Sequence, residues 1–72
     1  MDDITTGFRL RYVRTKKGDT QQTLAAAINI SQHLICDWEL EKRAIPVWAV
    51  KAICKRYKIS SDWLLCLEGA KR

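Results

Sequence analysis

The chain has 72 residues, of which 47% are hydrophobic and 29% charged, and its net charge is +5. This length gives room for one small domain over residues 1–72, which excludes a dinucleotide-binding fold with a substrate domain, a TIM barrel and any two-domain enzyme. The hydrophobic fraction is too high for a disordered chain, and no apolar run approaches the roughly 18 residues that span a bilayer. Because the acidic start is unlike a signal peptide, we expect a cytoplasmic protein without a membrane partner.

The cysteines predict neither a disulfide framework nor a metal centre. Cys36, Cys54 and Cys66 are odd in number and include no C-x-x-C pair. A small secreted scaffold has an even set of cysteines, and a structural zinc site has closely paired ligands. Although the only histidine, His33, lies three residues before Cys36, we expect reduced thiols, no metal and no cofactor.

The first 29 residues carry the sequence pattern of two helices followed by a turn. A first helix is predicted from about Ile4 to Lys17, ended by Gly18, because glycine adopts positive φ at little cost. Thr20 is a good N-cap for a second helix over Gln21–Ile28. Asn29 then suits a sharp turn, since asparagine tolerates the left-handed region better than most residues.

Three more helices are predicted before residue 68. The third begins after Ser31 and runs to about Glu41. The fourth begins at Pro46, a residue favoured in the first turn of a helix, and the fifth covers Asp62–Leu67 behind a serine cap at position 60 or 61. Because β-branched residues are scattered and no long alternating run occurs, the chain is expected to be all-α.

Residues 21–40 fit the spacing of a helix-turn-helix, in which two helices joined by a short turn pack at about 90–120°. The positions that must face inward hold large apolar residues: Leu24, Ile28, Ile30, Ile35 and Trp38. The crossing point of the two helices holds the small Ala25, and the turn holds Asn29. The alternative interpretation, an ordinary helical hairpin, would not require all these positions to agree.

The charge distribution favours a polyanionic partner. Residues 41–72 carry eight basic and three acidic side chains, whereas residues 1–40 carry five of each. The sequence pI of about 9.4 exceeds the value of about 9 that is typical of nucleic-acid-binding domains. Lys42 and Arg43 directly follow the second helix of the motif, where a helix end would meet the phosphate backbone.

Four segments resemble, in order, the Cro/repressor helix-turn-helix family of lambdoid phages and bacteria: Gly7–Arg11, Thr20–Ala25, Ile35–Glu39 and Ile59–Leu65. The length is similar to that of a stand-alone Cro. The resemblance implies a compact five-helix, lambda-repressor-like fold, with helices 4 and 5 over about 46–67. It also implies a transcriptional repressor that binds a near-palindromic double-stranded operator as a homodimer, formed either on DNA or before binding it.

Three positions depart from the pattern of this family. Asn29 and Glu41 stand where the family usually has glycine, so the helix before Glu41 is expected to end differently. Asp19 stands where the family usually has an apolar residue, which affects the packing just before the second helix. None of these departures removes a group expected to face DNA.

The resemblance implies that the third helix enters the major groove with its N-terminal residues on base edges. Gln32 is the first candidate for base readout, because its amide can pair bidentately with adenine. The other base-readout candidates are His33, Asp37 as an acceptor from cytosine, and Leu34 or Cys36 against a thymine methyl. Phosphate contacts are expected from Gln21, Ser31, Arg14, Lys42 and Arg43. Dimer contacts are expected from Ile59, Asp62 and Trp63, and an internal salt bridge is expected between Arg9 and Glu39.

Two other functions fit the sequence. Restriction–modification controllers and antitoxins share this fold at this size, and neighbouring genes would separate them from a Cro. A protein-interaction module that has lost DNA binding would use the tryptophans as its contact surface. An enzyme is not expected, because His33 has no serine or cysteine arranged with a carboxylate in a known catalytic order.

Overall fold

The structure, a computed structural model, describes residues 5–67. It contains five helices in this range and no strand: α1 Thr6–Lys16, α2 Gln21–Ala27, α3 Gln32–Glu39, α4 Val47–Tyr57 and α5 Ser61–Leu64. The prediction of an all-α, five-helix chain is therefore confirmed. The predicted start of the first helix at Ile4 lies outside the described residues. None of the helices between residues 5 and 67 has the length and apolar character needed to cross a membrane.

Side-chain caps begin three of the helices. The Oγ atoms of Thr5, Thr20 and Ser60 accept hydrogen bonds from backbone N–H groups three residues later, at 3.0–3.1 Å. Each cap satisfies one of the N–H groups that a helix leaves unpaired in its first turn. Between these helices, Gly18 and Asn29 have φ angles of 83° and 62°. The two predicted left-handed turns are therefore confirmed.

Two helices end earlier than predicted because a residue after each turns left-handed. Glu41 has a φ of 62°, and Lys42 N donates to the carbonyl of Asp37 at 2.8 Å, so α3 ends at Glu39 and not at Glu41. Cys66 has a φ of 61°, and Leu67 N donates to the carbonyl of Asp62 at 2.8 Å, so α5 ends at Leu64 and not at Leu67. This hydrogen-bond pattern closes helices through a left-handed residue.

The core is shared by all five helices. Its fully buried large side chains are Leu10, Leu24, Ile35, Trp38, Ile53 and Leu64. Three of the five inward positions of the helix-turn-helix, Leu24, Ile35 and Trp38, are buried, whereas Ile28 and Ile30 are half-buried at the edge of the core. The residues that fix the angle between α2 and α3 thus also hold the domain together.

A buried ion pair joins α1 to α3. Arg14 Nε and Nη2 donate to the carboxylate of Glu39 at 2.6 and 3.1 Å, and Arg14 Nη1 donates to the carbonyl of Asp19 at 2.9 Å. The hydrogen bond with Glu39 raises the pKa of Arg14. Arg14 lies one helical turn after the buried Leu10, on the same inward face.

The predicted salt bridge between Arg9 and Glu39 is therefore wrong. Arg9 Nη1 donates instead to the carbonyl of Trp63 at 2.7 Å, and its guanidinium lies 5.1 Å from the centre of the Trp63 ring. The difference arises because Arg14, not Arg9, lies on the face of α1 that packs against α3.

Asp19 ties the turn between α1 and α2 to α4. Its carboxylate accepts hydrogen bonds from Arg56 Nε at 2.9 Å, Arg56 Nη2 at 3.1 Å and Tyr57 Oη at 2.7 Å. The hydrogen bond from Arg56 is the main cause that lowers the pKa of Asp19, and burial raises the pKa of the Tyr57 hydroxyl. The family usually has an apolar residue at this position. In this chain the position is instead held against α4 by hydrogen bonds to the Asp19 carboxylate.

Asp19→Asn is expected to lower the Tm by several degrees at neutral pH. Because the folded state lowers the pKa of Asp19, its carboxylate contributes full stability above the unfolded pKa of about 3.9, and this contribution disappears as the pH falls through the folded pKa. The difference in Tm between the two proteins should therefore narrow below about pH 4. Thermal unfolding followed by circular dichroism from pH 7 to pH 2 measures it. A difference that stays constant over this range would show that the ionised carboxylate is not the stabilising species.

Candidate nucleic-acid interface

The turn between α2 and α3 has the hydrogen bonds of a tight helix-turn-helix. Asn29 N donates to the carbonyl of Ala26 at 3.2 Å, and Ile30 N donates to the carbonyl of Ala25 at 2.9 Å. Ala25 is buried, so its small side chain lets the two helices approach closely. Ser31 adopts the extended conformation of an N-cap, without a side-chain cap bond, and starts α3. The hydrogen bonds of the turn and the close packing at Ala25 therefore hold α3 against α2.

One side of α3 is open to solvent. Gln32 and His33 are exposed, Cys36 is half-exposed, and Leu40, which directly follows the helix, is 56% exposed. Gln32, Cys36 and Leu40 follow one another at four-residue spacing, which places them on one face of a helix. We call Gln32, His33, Cys36 and Leu40 the recognition strip. Leu40 is not among the predicted base-readout residues, although its position four residues after Cys36 indicates that it shares the outward face.

Two base-readout candidates lie outside this strip. Leu34 has the same intermediate exposure as Cys36, but its side chain packs against the core, which leaves it less available to a thymine methyl. Asp37 is buried, and its Oδ2 accepts a hydrogen bond from Arg43 Nε at 3.2 Å and lies 3.3 Å from His33 Nε2. The nearest partners of the Asp37 carboxylate are therefore two basic side chains of its own chain.

The five phosphate candidates differ in their exposure and in their bonds within the chain. Ser31, Lys42 and Arg43 are exposed at the two ends of α3. Gln21 is half-buried, and its Nε2 donates to Glu39 Oε1 at 3.0 Å. Arg14 does not fit the predicted phosphate contact, because its guanidinium is buried and all three of its nitrogen atoms donate to Glu39 or Asp19.

The candidate dimer residues lie beside an open groove of about 390 Å³ between α1 and the start of α5. Ile59 and Trp63 are half-buried and line this groove, and Asp62 is half-buried next to Trp63. The Trp63 ring also lies 6.5 Å from the ring of Tyr12, measured between centroids. The exposed part of Tyr12 extends this apolar surface onto α1.

A second exposed apolar surface lies at the start of α4. Val47 and Trp48 are 72% and 52% exposed. The Trp48 ring meets the buried Trp38 edge-on, with 6.4 Å between the ring centroids. Within residues 5–67, histidine, cysteine, aspartate and glutamate form no group of three or more arranged to hold a metal ion.

The chain is similar in sequence and overall fold to known helix-turn-helix proteins. The profile of the helix-turn-helix family matches residues 10–64. The P22 c2 repressor protein in complex with synthetic operator 9T is similar, with a TM-score of 0.84 and 26% identity, over 92% of this chain and 100% of that chain. The solution structure of the DNA-binding domain of the P22 c2 repressor is also similar, with a TM-score of 0.80 and 26% identity, over 89% and 84% of the two chains. A search of curated protein sequences gave no match.

Proposed function

The chain belongs to the helix-turn-helix family, and from this we propose that it is a sequence-specific transcriptional repressor of Cro type that binds double-stranded DNA. The observation that carries the proposal is the recognition strip on α3, which lies open to solvent beside the exposed Lys42 and Arg43. The major groove of B-DNA is about 12 Å wide and admits an α-helix, whereas its phosphates attract basic side chains. The similar P22 c2 repressor in complex with an operator supports this interpretation.

Within this proposal the recognition strip reads bases. Gln32 is exposed in the first turn of α3, where its amide can donate to and accept from adenine. His33 and Cys36 contact neighbouring base edges. Ser31, Gln21, Lys42 and Arg43 bind phosphates and fix the position of α3 without reading sequence.

We further propose that the repressor acts in the cytoplasm as a symmetric homodimer, assembled on DNA or before it. Ile59 and Trp63 line the groove between α1 and α5, where a second copy can bury apolar surface, and the half-buried Asp62 directly precedes Trp63. Two recognition helices then enter major grooves about 34 Å apart on a near-palindromic operator. Because the two subunits are joined, binding of the second subunit to its half-site becomes intramolecular, which raises the affinity above that of either subunit alone. The bound dimer represses by occupying the promoter.

Gln32→Ala is expected to weaken binding to the preferred duplex about tenfold and to relax the preference at one base pair of each half-site, because one bidentate contact is lost. Fluorescence anisotropy titrations with duplexes that carry each of the four base pairs at every position measure this effect. Gln22→Ala is the matched control, since Gln22 is exposed on α2, and its base preference should equal that of the wild type. An unchanged preference in Gln32→Ala would show that α3 docks differently.

The exposed Val47 and Trp48 favour a second candidate function, a protein-interaction module that does not bind DNA. The two functions differ in their response to salt. Binding to a selected duplex that weakens with rising salt, and that is absent with a scrambled duplex, would exclude the interaction module. Binding to neither duplex at low salt would favour it.

A further inference from the structure

We propose that Asp37 is a positioning residue: it holds Arg43 beside α3 for contact with a DNA phosphate and reads no base itself. The inference rests on the proposed function, because it requires DNA to lie along the recognition strip. It also assigns to Asp37 a different function from the contact with cytosine that the sequence suggested.

The contact between the two side chains leaves most of the guanidinium available. Asp37 Oδ2 accepts from Arg43 Nε at 3.2 Å. In the part of the chain that the structure describes, the two Nη amino groups of Arg43 have no hydrogen-bond partner. Because a guanidinium is planar, a bond at Nε restricts its orientation while the N–H groups of the two Nη atoms can still donate to a phosphate.

The exposure of the two side chains is also unequal. The side chain of Arg43 is 56% exposed, whereas that of Asp37 is 12% exposed. A base reader must reach into the groove, but the Asp37 carboxylate is largely covered and lies between Arg43 and His33. The arginine, in contrast, has the exposure that a phosphate contact needs.

The backbone explains why these two residues meet. After α3 the chain reverses through Glu41, whose φ is 62°, and Lys42 N donates to the carbonyl of Asp37 at 2.8 Å. This reversal returns the next residue, Arg43, to the level of Asp37. Because the long arginine side chain is already restrained before DNA arrives, it loses less conformational freedom on binding.

A double-mutant cycle tests the inference. Asp37→Asn, Arg43→Ala and the double variant are titrated with the preferred duplex at several salt concentrations. Arg43→Ala should weaken binding to all duplexes by a similar factor and lower the slope of log K against log salt by about one. Asp37→Asn should weaken binding about fivefold and shift this slope toward that of Arg43→Ala, although it removes a negative charge. In the Arg43→Ala background, Asp37→Asn should cause no further loss.

The slope of log K against log salt and a second variant, Arg43→Lys, distinguish a lost phosphate contact from partial unfolding of the protein. A partly unfolded Asp37→Asn protein would bind with a reduced active fraction but an unchanged salt slope, which would contradict the inference. Arg43→Lys keeps the charge at an exposed position but lacks the planar guanidinium, and it should lose affinity severalfold at unchanged Tm. Wild-type affinity in Arg43→Lys would overturn the inference.

Three other results would also overturn it. A loss in Asp37→Asn that persists without Arg43 and concerns one base pair would make Asp37 a base reader. Tighter binding of Asp37→Asn in both backgrounds would show that its carboxylate only repels phosphate. An Arg43→Ala protein with wild-type affinity and slope would remove the phosphate contact and leave the proposed function intact. The proposed function itself fails only if the wild type does not distinguish the preferred duplex from a scrambled one.

Discussion

Glu39→Ala is expected to lower the free energy of unfolding by about 3–5 kcal/mol, because it leaves a buried guanidinium without its counterion. The side chains of Arg14 and Glu39 are 9% and 4% exposed. Glu39 accepts hydrogen bonds from Arg14 Nε and Nη2 and from Gln21 Nε2, so its loss affects α1, α2 and α3 together. Small domains have a total stability of roughly 5–10 kcal/mol, of which this loss is a large part. Urea unfolding followed by circular dichroism measures it.

The control for this prediction removes both charges at once. Arg14→Met combined with Glu39→Leu buries two apolar side chains in place of the ion pair, and it should be clearly more stable than Glu39→Ala alone. A free energy of unfolding of Glu39→Ala within about 1 kcal/mol of the wild-type value would contradict the prediction. It would mean that the guanidinium of Arg14 bonds to water or to another group. The ion pair would then not hold α1 against α3.

Gly7→Ala is expected to destabilise the protein by about 3 kcal/mol, although helix propensity alone predicts a gain of about 1 kcal/mol. A Cβ atom on Gly7 would lie 2.5 Å from the carbonyl oxygen of Glu39 and 2.7 Å from that of Trp38. These are backbone atoms, which cannot rotate away as a side chain can. The N–H group of Gly7 also donates to the carboxylate of Glu41 at 2.5 Å. The added methyl group therefore separates the start of α1 from the end of α3.

Thr15→Ala is a suitable control, because Thr15 is exposed on the same helix and its replacement should change the stability by less than about 0.5 kcal/mol. Urea unfolding of both variants under the same conditions gives the comparison. A Gly7→Ala protein at least as stable as the wild type would contradict the close approach of α1 and α3.

Local patterns predicted the helix-turn-helix well. The apolar spacing from Leu24 to Trp38 defined the inward faces of α2 and α3, and Asn29 marked the turn between them. These features are readable because helical periodicity and left-handed turns depend on residues close in sequence. The early ends of α3 and α5 were not predicted, because the residues that adopt positive φ after these helices are Glu41 and Cys66 and not glycine.

Partners distant in sequence were harder to predict. The sequence paired Glu39 with Arg9, whereas packing of α1 on α3 pairs it with Arg14. Asp19 was expected to affect the packing before the second helix, but its partners, Arg56 and Tyr57 of α4, lie 37 and 38 residues away in sequence. For Asp37, the resemblance implied a contact with cytosine, but the chain reversal after α3 brings Arg43 to its largely buried carboxylate. Each of these contacts depends on where another element packs, which no local pattern records.

Selection of bound duplexes from a random DNA pool by the wild-type protein tests the proposed function most directly. We expect enrichment of a two-fold-symmetric sequence whose half-site centres lie about one helical turn apart, because two copies of α3 must enter major grooves on the same side of the duplex. The enriched sequences should compete for binding far better than scrambled duplexes at the same salt concentration. A pool without any enriched sequence, from a protein shown to be folded, would contradict sequence-specific DNA binding by this chain.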